Sequence, residues 1–142
     1  MTPSGPFDTA FLKDALRTVF AEWVRMLVLR LISARPGEVV LALPVTQRHV
    51  HAGNAVSGQT LMAAADSAMV LAVMSKLGAF RPMTTVQLQT SFLRPVAADA
   101  GEARVTAGAM RRGRNLLFGE IRITTGTDRV LAAQSTTTCA LI

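Results

Sequence analysis

A single carboxylate, Asp66, stands inside the apolar run from Leu61 to Met74, where the only other polar residue is Ser67. An ionised carboxylate buried without a partner costs roughly several kcal/mol, so something must offset it. Either a structural hydrogen bond or ion pair does so, or the group is a base or nucleophile held away from bulk water. Eight residues earlier, Ser57-Gly58 opens the same run. If the run is a helix, Ser57 is its N-cap, and the free N–H groups of the first turn favour negative charge developing on a carbonyl oxygen. Gly58 has no side chain to block a close approach. His49 and His51 have the types of a metal pair, but no third or fourth ligand is placed beside them, so no metal site is expected. Arg94, Arg111, Arg112 and Arg114 offer charge-assisted hydrogen bonds to phosphates, or else form a solvated hairpin turn.

Secondary elements must position these groups. Residues 1–6 carry two prolines and a glycine and read as a loose arm, after which Asp8 or Thr9 caps a short helix to about Trp23. Strand-like stretches from about Val24 to Ala34 and from Glu38 to Val45 flank Arg35-Pro36-Gly37-Glu38, which has Pro and Gly where a type II turn wants them. Residues 46–56 lack periodicity and form a loop. The helix from Gly58 to about Leu77 is apolar nearly all round, so other structure must enclose it. Its apolar stretch is too short, and too interrupted by a carboxylate, for a membrane span. Beyond Gly78 come four strand-like stretches, about 83–94, 100–111, 115–125 and 129–141, read as an antiparallel meander. Within the first, Val86, Leu88, Thr90 and Phe92 alternate with Gln87, Gln89, Ser91 and Leu93. This order fits an α+β domain with a curved antiparallel sheet wrapped round one helix, or an ordinary two-layer sandwich. The domain proper spans 24–142, after an N-terminal arm and short helix over 1–23.

Composition narrows the functions. Half of the 142 residues are hydrophobic and only 17% are charged, which points to a globular, self-associating chain whose sheet edges invite a second copy. The net charge of +6 suggests an anionic partner. Aromatic residues make up 5% and Tyr is absent, leaving few stacking platforms, so nucleic acid is not expected. Cys139 is the only cysteine, which excludes an intrachain disulfide and reads as a small buried hydrophobe. The N-terminal residues lack the basic start and apolar run of a secretory signal, so the expected location is the cytoplasm.

The run from Asn54 to Met69, with Ser91-Phe-Leu-Arg-Pro95 and Arg112-Gly-Arg114, resembles the phenylacetate-degradation type of hotdog-fold acyl-CoA thioesterase over roughly residues 24–141. The resemblance implies thioester hydrolysis without a resident cofactor, in a homo-oligomer that is a dimer or a dimer of dimers, a homotetramer, with sites between subunits. It also implies roles: Asp66 as general base or nucleophile, and Gly58 as the N–H donor to the thioester carbonyl. His51 falls where a loop amide commonly helps to place water, and Thr84 falls on a small hydroxyl position with Thr85 as its neighbour. Asn54 and Thr85 join Arg94, Arg111, Arg112 and Arg114 as implied substrate-binding residues. The family's usual His-Gly-Gly at the helix start reads Ser57-Gly58-Gln59 here. Geometry adds a conclusion of its own: at about 1.5 Å per residue, Gly58 and Asp66 lie about 12 Å apart along one helix. One carbonyl must sit within about 3 Å of both groups, so they should serve it from different subunits. Other functions for the same fold are an enoyl-CoA hydratase or dehydratase, for which only His51 could partner the acid, and a non-catalytic acyl-CoA-binding protein.

Overall fold

The computed structural model describes residues 7–142, and Arg112 by its backbone alone. The arm read over residues 1–6 lies outside the described residues. Helix α1 (Ala10–Thr18) starts where the Asp8 carboxylate accepts the Ala10 N–H at 2.9 Å, while the Thr9 side chain makes no capping bond. It buries Leu12 and Ala15. The chain breaks after Thr18 and turns into the short helix α2 (Glu22–Arg25), so the helix expected to reach Trp23 is two pieces. The strand expected from Val24 begins only at Arg30. Val24 and Arg25 donate to the Ala21 carbonyl, and Val28 sits at φ 56°, a turn conformation that the apolar composition of this stretch does not reveal.

Strands β1 (Arg30–Arg35) and β2 (Glu38–Pro44) form the expected hairpin. Gly37 has φ +88°, which a type II turn demands, and its N–H donates to Ser75 Oγ at 2.9 Å, tying the turn to the central helix. That helix, α3 (Gly58–Leu77), ends at Gly78 in the left-handed conformation. It has the length and apolarity of a membrane span, but most of that stretch is buried against the sheet. Strands β3 (Met83–Phe92), β4 (Glu102–Arg112), β5 (Leu116–Thr125) and β6 (Val130–Leu141) complete six antiparallel strands in the order β1-β2-β4-β5-β6-β3.

The four-strand meander is therefore corrected: β4, β5 and β6 are consecutive neighbours, but β3 lies beyond β6 at the sheet's edge. The two connections within the β4–β6 meander are tight turns that force hairpins. The connection from β3 to β4 spans 93–101, long enough to cross the molecule and let β2 pair with β4. The result is the hotdog arrangement, a curved antiparallel sheet round a long central helix. Ala64, Ala65, Ala68 and Ala72 bring the helix backbone close to Val39 and Leu41 of β2, Val105 of β4 and Ile121 of β5, all buried. Gly119 leaves room for the Met69 sulfur, which a Cβ there would strike.

Candidate active site

The helix start is held by a loop that bonds to itself. His51 N–H donates to the Ala55 carbonyl at 2.9 Å, Val56 N–H donates to the Val96 carbonyl at 2.8 Å, and Asn54 takes φ 64°. The exposed His51 ring accepts the Gly53 N–H on Nδ1 at 2.8 Å, which leaves Nε2 as its other hydrogen-bonding atom. The His49 carbonyl accepts the Ser57 N–H at 2.9 Å, and burial, then the Arg48 charge, holds the His49 imidazole below its ordinary pKa. Among the described residues no group of three or more His, Cys, Asp or Glu side chains could hold a metal.

Ser57 caps α3 as its sequence position requires. Its Oγ accepts the Thr60 N–H at 3.2 Å and shares a 2.8 Å hydrogen bond with Thr60 Oγ1. The N–H groups of Gly58 and Gln59 meet no acceptor among the described residues, so they stay available to an anion or a polarised carbonyl. Gly58 lies under an aromatic ring: a Cβ on it would stand 3.3 Å from Phe92 Cζ. A cavity of about 260 Å3 opens here, with His51, Val56, Gly58, Leu61, Phe92 and Arg94 in its wall. A larger one of about 900 Å3, around Gly108, Met110 and Phe118, lies on the outer sheet face, away from Asp66 and Gly58.

Asp66 is half-buried, and its Oδ1 accepts a hydrogen bond of 2.7 Å from Thr85 Oγ1. No cation reaches it among the described residues. Cys139 pairs with Thr85 across β3 and β6, and burial, then the Asp66 charge, raises its thiol pKa, which keeps the thiol neutral at pH 7.

The hydroxyl on Asp66 is thus Thr85's, while Thr84 is exposed opposite Ala140. The reason is a bulge. The β3–β6 register shifts between Thr85 and Gln87, so the inward set changes from Met83 and Thr85 to Leu88, Thr90 and Phe92. An unbroken period of two carried back from Phe92 selects Thr84. Phe92 is a site-lining residue that the sequence does not single out: alternation places it with Leu88 and Thr90 on one side of the strand, but nothing in the sequence says that it meets Gly58.

The arginines divide between the ends of β3. Arg94 stands two residues past the end of β3 and lines the Gly58 cavity. Arg111 is near the end of β4 and Arg114 is in the β4–β5 turn, and an Arg111 guanidinium N–H donates to the Arg114 carbonyl at 2.7 Å. Arg111 pairs with Leu117, Leu117 with Cys139, and Cys139 with Thr85, which places that turn at the Asp66 end. The side chain of Arg112 lies outside the described residues.

A family model described as the thioesterase superfamily matches residues 49–132, a stretch that holds His51, Asn54, Ser57, Gly58, Asp66, Thr84, Thr85 and Phe92. The chain is similar in structure to a conserved protein of Pseudomonas aeruginosa, with 27% identity, a TM-score of 0.78, and 87% of this chain and 95% of that one covered. It is similar to the E. coli PaaI protein of the phenylacetic acid degradation operon, with 21% identity, a TM-score of 0.79, and 94% of each chain covered. A Streptococcus mutans protein bound to acetyl CoA shares the fold at 16% identity and a TM-score of 0.72, with 80% of this chain and 88% of that one covered. No curated protein is detectably similar to the chain in sequence.

Proposed function

The chain belongs to the thioesterase superfamily, and on that premise we propose that it hydrolyses an acyl-CoA thioester to the free acid and CoA at a site shared by two copies. One observation carries the reading. Asp66 is joined to Thr85 near the start of β3, Gly58 lies under Phe92 at its end, and β3 is a sheet edge with one side unpaired. If two copies pair these edges antiparallel about a two-fold axis, the start of one β3 meets the end of the other. Asp66 of each copy then faces Gly58 of its partner, which removes the separation of about 12 Å within one helix.

In that site the thioester oxygen accepts the Gly58 N–H, which stabilises the charge it gains as the carbonyl carbon is attacked. Asp66 either takes a proton from the attacking water or attacks the carbon itself, forming a mixed anhydride that water cleaves. In both routes the C–S bond breaks, the CoA sulfur leaves with the electron pair and is protonated, and the acid is released. Thr85 holds the carboxylate, and His51 stands at the helix start where it can orient water or substrate. Arg111 and Arg114 suit the CoA phosphates, and the acetyl CoA bound by the Streptococcus mutans protein supports a CoA ester as substrate. The assembly is a dimer or a dimer of dimers, and hydrolysis needs no resident metal or cofactor.

Thiol release from a panel of acyl-CoAs tests the proposal. The wild type should turn over at least one ester, and Asp66→Asn should fall by about two orders of magnitude or more while keeping its circular dichroism and melting temperature. A folded Asp66→Asn protein as active as wild type would remove Asp66 from the mechanism.

A further inference from the structure

The cavity at the helix start has a composition that the shared-site reading leaves unused. Its walls are the side chains of Val56, Leu61, Phe92 and Leu93, with His51 and Arg94 as its two polar side chains, and its volume is about 260 Å3. Phe92 is 50% exposed, yet its ring tip packs against the Gly58 α-carbon so closely that a Cβ there would lie 3.3 Å from Cζ. The backbone of Gly58 is ordinary helix rather than left-handed. A side chain at position 58 would push the Phe92 ring outward by a few tenths of an ångström, so the glycine lets that ring lie close over the helix start.

A thioester whose oxygen meets the Gly58 N–H must send its acyl group one way and its CoA arm another. The pantetheine arm carries two amides, and placing them against apolar walls without hydrogen-bond partners costs free energy. A hydrocarbon acyl group has no such cost and gains from leaving water. The part of the cavity that one chain builds, about 260 Å3, is smaller than the roughly 300–1,000 Å3 of pockets that bury drug-sized ligands, so on its own it accommodates a short group.

We infer that this cavity is the acyl subsite, that Phe92 is its size-limiting wall, and that the enzyme selects compact, apolar acyl groups. The inference rests on the thioesterase reading above. It makes Phe92 a specificity-determining residue which sets how far an acyl chain extends past the polarised carbonyl.

The test compares kcat/KM for acetyl-, butyryl-, hexanoyl-, octanoyl- and lauroyl-CoA in wild type, Phe92→Leu and Phe92→Ala, each as its native oligomer, together with inhibition by free CoA. Wild type should favour the shorter esters. Phe92→Ala should shift the ratio of long-chain to short-chain kcat/KM by about tenfold or more, with Phe92→Leu between. The inhibition constant for free CoA should move by less than about twofold, because the CoA arm lies elsewhere. A chain-length profile that neither substitution moves overturns the assignment. So does a uniform loss over all esters with a matching rise in the CoA inhibition constant, which would place the pantetheine arm in the cavity. Absence of thiol release from every ester by folded wild type instead overturns the thioesterase reading itself, and the acyl subsite falls with it.

Discussion

Asp66 receives one hydroxyl hydrogen bond and no cation among the described residues, so its charge is stabilised by Thr85 and by partial contact with solvent. Thr85 occupies Oδ1 and leaves Oδ2 without a hydrogen-bond partner among the described residues. Hydrogen bonds to charged groups contribute about 1.5–3 kcal/mol, so Thr85→Val should lower kcat by about tenfold or more by loosening the carboxylate. Thr84→Val, on the exposed side of the strand, should leave kcat within about twofold. Steady-state kinetics on the two variants decides the matter, and the reverse order would show that the hydroxyl on Asp66 has no part in turnover. Asp66, Ser57 and Gly58 were legible in the sequence because each breaks or punctuates a pattern: a charge inside an apolar run, and a cap followed by a glycine where that run begins. Thr85 was not legible as the donor, because one extra residue at a bulge reverses strand parity and leaves no trace in the alternation that follows.

At the scale of elements, α3 carries both groups of the proposed chemistry, which calls for a stiff helix start. Ser57 satisfies the Thr60 amide and engages its hydroxyl, and Ser57→Ala should cost about 0.5–2 kcal/mol of stability, read from urea denaturation. Activity should fall further than stability alone explains, since fraying of the first turn misdirects the Gly58 N–H. A variant with unchanged stability and unchanged kcat would show that the loop bonds around His49 and Val56 hold the helix start without the cap. The helix and the first hairpin were readable because length, apolarity and turn residues agree with the tertiary structure. Residues 24–29 were not, because Val24, Leu27 and Val28 have strand-like side chains while their amides donate to the Ala21, Val24 and Arg25 carbonyls and keep the stretch out of the sheet. The place of β3 in the sheet was also hidden. Local pattern identifies a strand, but only the long 93–101 crossing and the competition between β2 and β3 for β4 decide its neighbour.

For the whole molecule, β3 is one of the sheet's two edge strands, and it is the one that runs between the Asp66 and Gly58 ends. It is a ten-residue edge with one side unpaired, and Val86 at its bulge is 60% exposed. Pairing two such edges would cover that side and bring the Asp66 end of one chain to the Gly58 end of the other. Two inactive variants should therefore restore activity when their subunits exchange. In a mixture of Asp66→Asn with Gly58→Val, each heterodimer has one site carrying both substitutions and one carrying neither. With half of the dimers mixed, about a quarter of wild-type activity should return. Val at position 58 presses on the Phe92 ring, so both parents must first be shown to fold and associate. Native mass spectrometry then counts the heterodimers, and thiol release measures the recovery. Recovery in proportion to heterodimer content places the carboxylate and the polarising N–H on different subunits. A mixture with demonstrated exchange that stays as inactive as its parents would confine each site to a single chain, and Gly58 could then no longer be the donor to a carbonyl attacked with the help of Asp66.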